Sequence, residues 1–179
     1  MARFYTVFLI LFSVLAFSLP ANAQRTAEEF GKLPFMQDPE ISPDGNRIAT
    51  LLSINGEQKF AIWPLSEELG EPVVMNLGDG ILMDWRWVNK DWLVIRTASI
   101  GNVQGSEWFL TRLSAIRADG KKSYVIGKRD MAQNGGDILW TATDGSPRII
   151  MAYQTSIYLD NSGFWPQVDE VNLETGKRK

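Results

Sequence analysis

The sequence predicts an all-β fold, a partial β-propeller of about three antiparallel blades, and three observations carry that expectation. A strand–tight turn–strand unit occurs three times along the chain. A further strand ending in a polar turn follows each unit. After Pro34 everything else reads as short apolar runs rich in Ile, Val, Leu and Trp, broken by Asp-Gly, Asn-Gly and Pro-Asp-Gly turns.

Residues 1–23 have the layout of an export signal. Arg3 supplies a positive start, Phe4 to Phe17 is a nearly unbroken apolar run, and Ser18-Leu19-Pro20 ends it. Ala21-Asn22-Ala23 before Gln24 is a small-x-small cleavage site. A transmembrane anchor is the rival reading, but it needs about 17–25 apolar residues, and this run is shorter. No cysteine follows the site, so a lipid anchor is not expected. The layout is bacterial in style and places the mature chain in the periplasm or outside the cell, with no membrane attachment after cleavage.

Residues 24–37 are expected to hold a short helix and a lead-in. Thr26 and Glu29 have capping-box spacing, and Phe30 and Leu33 begin an apolar face. Gly31 and Pro34 keep the helix short.

Residues 38–179 are expected to form the propeller. Its units are Ile41 to Thr50, Trp85 to Ile95 and Leu139 to Ile150. The following strands are Phe60 to Leu65, Leu113 to Gly120 and Val168 to Gly176. Fourth strands are expected at Pro72 to Leu77 and Ser123 to Ile126. The period, roughly 45–55 residues, is that of a four-stranded blade. An ordinary β-sandwich with coincidental turn spacing is the alternative. Propellers close with about 4–8 blades, and the third blade here is expected to stop at Lys179 before its fourth strand. Open blade edges of that kind expose unused N–H and C=O groups and favour self-association.

The composition excludes much chemistry. The chain contains no histidine and no cysteine. A Ser-His-Asp or Cys-His hydrolase has no imidazole here to take the nucleophile's proton, and most zinc sites draw on those two residue types. Stability must come from packing and not from disulfides. The net charge of −3, more acidic once Arg3 is removed, argues against nucleic acid or an anionic membrane as partner. No cofactor and no metal site is expected. Asp79, Asp84, Asp91, Asp137, Asp160 and Asn161 lack the spacing of a calcium loop and read as turn and cap residues. A carboxylate-only enzyme has no supporting motif.

Phe30 to Pro34, followed by Pro39-Glu40-Ile41-Ser42-Pro43-Asp44-Gly45-Asn46-Arg47-Ile48-Ala49, resembles the start of an exported prolyl oligopeptidase-family serine peptidase of the dipeptidyl aminopeptidase or acylaminoacyl peptidase-like branch. Asp84 to Asn89 resembles the entry strand of that family's next blade, and Val171 to Lys177 the end of a third strand. Turns of the Ser-Pro-Asp-Gly type also occur in TolB-like propellers. The resemblance implies a propeller that gates peptide access to an α/β-hydrolase domain carrying Gly-x-Ser-x-Gly, Asp and His. No Gly-x-Ser-x-Gly occurs in the chain, and Gly105-Ser106 and Gly145-Ser146 lack the second glycine. No catalytic residue is therefore assigned, and a peptide substrate is expected only by way of a missing catalytic domain. A stand-alone periplasmic binding or scaffold propeller is the alternative.

Two residues are singled out as candidate ligand or partner contacts, Trp108 and Trp165. The other tryptophans (Trp63, Trp85, Trp87, Trp92 and Trp140) are expected mainly in the inter-blade core or beside turns. Trp108 and Trp165 fall in polar, glycine-containing stretches expected to be loops. The segment Ser99 to Glu107 has neither a Lys-Ser/Thr end nor a following helix, so it is read as a long recognition loop and not a phosphate loop.

Overall fold

Alternating apolar and polar residues separated by glycine turns sort the described residues into eleven strands in three antiparallel sheets. The computed structural model describes residues 31–32, 34–78, 80–127 and 131–179. The expected signal and the expected helix start at Thr26 lie outside the described residues. Pro34–Lys179 form one compact unit.

The first sheet is a meander of β1 (Met36–Ile41), β2 (Arg47–Ile54), β3 (Glu57–Pro64) and β4 (Val73–Asn76). The second repeats it with β5 (Ile81–Trp87), β6 (Trp92–Val103), β7 (Ser106–Arg117) and β8 (Ser123–Val125). The third contains β9 (Gly135–Thr141), β10 (Arg148–Tyr153) and β11 (Gln167–Asn172). Each sheet is one blade, so the fold is a partial propeller. β1 begins at Met36, two residues before the expected domain boundary.

As expected, the third sheet holds three strands, and the last residues add only a short edge pairing. Glu170 and Lys179 exchange backbone hydrogen bonds, Asn172 N–H donates to the Lys177 carbonyl, and Val171 bridges Arg178. Residues 177–179 thus pair on β11 at the fourth-strand position. The pairing is too short to read from sequence periodicity.

The second spacing is longer than the first because β6 and β7 are both twelve residues long. They stay paired from Trp92↔Arg117 out to Val103↔Ser106. Ser99 to Glu107 is therefore a hairpin and not a loop. Its two-residue turn is Gln104-Gly105, both at positive φ (53° and 83°), the backbone that matches strand twist in tight hairpins.

Burial follows strand parity. On β6, Leu93 and Ile95 join Ala49, Phe60, Ile62 and Trp87 in a core between the first and second sheets. The alternate residues Trp92 and Val94 join Ile149, Met151 and Val171 between the second and third. On β7, Leu113 and Ala115 face the third sheet, while Ile116 faces the first. The second sheet is therefore buried on both faces, which explains its nearly continuous apolar runs. The backbone of β9 approaches β7 closely. A Cβ on Gly136, whose φ is +99°, would lie 2.3 Å from Leu113 Cβ.

Leu113 is fully buried, whereas Ile100 on the projecting part of β6 is 69% exposed. Leu113→Ala is expected to cost about 2–5 kcal/mol of stability, and Ile100→Ala within about 0.5 kcal/mol. Urea unfolding of the two variants checks both values, and equal costs would contradict the two-faced burial.

Candidate functional site

In a meander the first-to-second and third-to-fourth connections lie at one end of each blade, and the second-to-third at the other. The two candidate tryptophans fall at the second-to-third end of adjacent blades. Trp108 lies on β7, paired with Gly101 and half-buried, not in a loop. Its hairpin alternates sides normally, and the glycines flanking it in sequence do not break the strand. Trp165 is 62% exposed and follows the single turn Ser162–Phe164. The Asn161 side chain accepts the Gly163 N–H at 2.8 Å and starts that turn, and the Trp165 ring meets Phe164 edge-on at 5.7 Å. Trp108 and Trp165 make no ring contact with each other. Their connections are joined instead by Gln104, whose Nε2 donates to the Tyr158 hydroxyl. Ile100, Phe109 and Leu159 are exposed in the same connections.

The other indoles divide between core and surface. Trp85 lies edge-on to Phe60 at 5.5 Å. Buried Trp87 donates its indole N–H to the Glu40 carbonyl at 3.2 Å. Buried Trp92 meets Tyr124 edge-on, with Lys122 Nζ 5.7 Å from each ring. Burial pushes the Tyr124 hydroxyl up to about 12, so it remains a donor to the Leu173 carbonyl at 2.7 Å. Trp63 and Trp140 are partly exposed beside turns, at the ends of β3 and β9.

Two of the acidic residues serve the frame. Arg96 Nε and Nη2 donate to Asp84 Oδ2 at 2.9 and 2.5 Å, and Nη1 reaches Asp137 on the third sheet. This ion pair links the second and third blades. Asp91 lies in the β5–β6 turn, its N–H donating to Asn89. Asp160 lies in the β10–β11 connection; Asp79 lies outside the described residues. Among the described residues no group of three or more acidic side chains converges to hold a metal ion.

The opposite end gathers three equivalent turns. In the β1–β2 turn Ser42 Oγ donates to Asp44 Oδ1 at 2.6 Å, Asn46 Nδ2 donates to Asp44 Oδ2 at 2.8 Å, and Arg47 N–H donates back to Ser42 Oγ. In the β9–β10 turn Ser146 Oγ donates to Asp144 Oδ1 at 2.6 Å and Arg148 Nη2 to Asp144 Oδ2 at 2.9 Å. The β5–β6 turn uses an amide instead. Asn89 Oδ1 accepts the Asp91 and Trp92 N–H groups, and its Nδ2 donates to the Gly145 carbonyl at 2.9 Å, tying two turns together. Between the three turns lies a hollow of about 570 Å³. Pro43 and Asp44 line it from the first, Val88, Asn89 and Lys90 from the second, and Ala142, Thr143 and Gly145 from the third. Volume and mixed lining suit a small-ligand site. Sequence reading missed this site. Its trace there is the alignment of the three turns, in which Lys90 stands where the other two carry Asp44 and Asp144.

No protein-family model matches the chain, and no curated protein matches it.

The Ser42 hydroxyl holds the Asp44 carboxyl below the usual range, and the Ser146 hydroxyl does the same for Asp144, to about 2. A carboxyl lowered by folding adds stability that is fully present above its unfolded value and fades as pH falls through its folded one. For Asp144 that window runs from the ordinary 3.8 down to about 2. An NMR titration is expected to show Asp144 ionised down to that point, and Ser146→Ala to return it toward 3.8. An unchanged value in the variant would remove the hydroxyl as the cause.

Proposed function

We propose that this chain is the non-catalytic, substrate-gating propeller portion of a secreted serine peptidase of the prolyl oligopeptidase type. The observation that carries the reading is the opening of the first blade. Its Ser42-Pro43-Asp44-Gly45 turn, the motif on which the resemblance rests, is internally bonded and joins the first two strands of a four-stranded meander. Three further features support it. Successive blades follow chain order, equivalent turns converge on a hollow, and the sequence supplies neither His nor Gly-x-Ser-x-Gly. Gating needs a rigid frame with recognition at its ends. The chemistry would belong to an α/β-hydrolase domain, and export to the Met1–Ala23 segment. Among the described residues no helix is long and apolar enough to cross a membrane.

A second reading, a stand-alone periplasmic TolB-like propeller that binds or scaffolds through self-association, is favoured by one surface. Trp140 and Val168 are exposed on the third sheet, and Trp140, Ile150 and Glu170 share its outward face by register. Faces of this kind are buried elsewhere in the fold by another blade.

The chain alone is expected to give no turnover of peptide p-nitroanilides and no labelling by a fluorophosphonate probe. Labelling at any serine would contradict the gating role. Sedimentation at several concentrations separates the two readings, since a defined dimer supports the scaffold and polydisperse association supports the gating module.

A further inference from the structure

The three turns around the hollow are equivalent in position but not in charge. Ser42, Val88 and Ala142 occupy the same place, each donating its backbone N–H across the turn to Arg47, Trp92 and Arg148 respectively. Two residues further on stand Asp44, Lys90 and Asp144. Both aspartates are engaged in building their own turns. In the second blade that task has passed to Asn89, which accepts two N–H groups and donates to the neighbouring turn. Lys90 is thereby released from any role in the turn. It lines the hollow, is exposed, and has no ion-pair partner among the described residues.

The other lining groups set what could sit beside it. Pro43 presents exposed apolar surface, and the nearly buried Val88 and Ala142 form the floor behind it. The polar atoms of Asn89 are already bonded, and the Asp44 oxygens accept from Ser42 and Asn46. Among the described residues the site therefore offers one cation without an ion-pair partner, beside an apolar patch, on three turns closed by their own bonds. A free cation of this kind selects an anion, and apolar walls select the group that carries it. Because the turns are fixed by their own bonds, little ordering cost falls on binding.

We propose that this hollow binds the carboxyl-terminal end of a peptide, its carboxylate on Lys90 and an apolar last side chain against Pro43, Val88 and Ala142. The proposal rests on the peptide-gating reading and gives it a substrate feature, a free C-terminus with an apolar final residue. The ionised Asp44 nearby opposes an anion, so it sets a limit on affinity and does not contribute to it.

The test uses the chain itself and two probes, N-acetyl-alanyl-leucine and its C-terminal amide, followed by ¹⁵N–¹H NMR titration. The free acid is expected to give saturable shifts at Asp44, Lys90 and Thr143, and to bind at least about 5-fold more tightly than the amide, the scale of one modest charge contact. Lys90→Ala should remove that preference while leaving amide binding unchanged. Asp44→Asn should leave acid binding equal or stronger. Thr143→Trp, at an exposed position that fills the hollow, should weaken both probes. Unchanged thermal melting shows that each variant is folded. Equal binding of acid and amide, no saturable shift, an unaltered preference in Lys90→Ala, or weaker acid binding in Asp44→Asn would each overturn the proposal. None of these results depends on serine labelling, so failure here is distinct from failure of the gating role.

Discussion

The structure depends on one constraint, that an apolar blade face must be buried against a neighbouring blade. A four-stranded antiparallel sheet with one wet face would alternate apolar and polar residues. In the second sheet both parities are apolar, because Leu93 and Ile95 meet one neighbour while Trp92 and Val94 meet the other. The third sheet shows the same demand from the other side. Ile149, Met151 and Val171 are completely buried against the second sheet. On the outward face Val168 is exposed and Ile150 only half-buried. The Gly136–Leu113 approach belongs to this constraint as well, since a side chain there would hold the two blades apart.

Rigid blades make the turns rigid in consequence. Each first-to-second turn is closed by its own side-chain bonds and anchored at both ends in strands with buried residues. The three turns therefore present a preformed concavity, and Asn89 couples two of them directly. The other end is built differently, from a long projecting hairpin and an irregular connection joined through Gln104 and Tyr158. Recognition by a propeller of this kind falls naturally to its ends, because its faces are consumed by packing.

Much of this was legible in the sequence, and the failures have physical causes. The first and third of the first-to-second turns are readable because Pro-Asp-Gly and Asp-Gly-Ser-Pro leave the backbone few alternatives, and the second is readable from Asn89-Lys90-Asp91 between two apolar runs. β4 and β8 were readable from apolar runs beginning near Pro72 and Ser123. The Ser99–Glu107 hairpin reads as a loop in sequence because Gly101, Asn102, Gln104 and Gly105 have low strand preference. Continuous pairing between β6 and β7 overrides that preference. The loop expected around Trp108 has the same cause. Residues 177–179 were missed because three residues carry no periodic signal. The hollow was invisible for another reason: its lining comes from turns about fifty residues apart in a repeat of this length, and only the fold brings them together.

The central claim is that this propeller serves a hydrolase domain. The most direct measurement is to read the coding DNA beyond Lys179. The account predicts an open frame, or one restored by a single-base shift, that continues through further blades to Gly-x-Ser-x-Gly and a later His. A stop followed by unrelated sequence would contradict it and leave the stand-alone propeller.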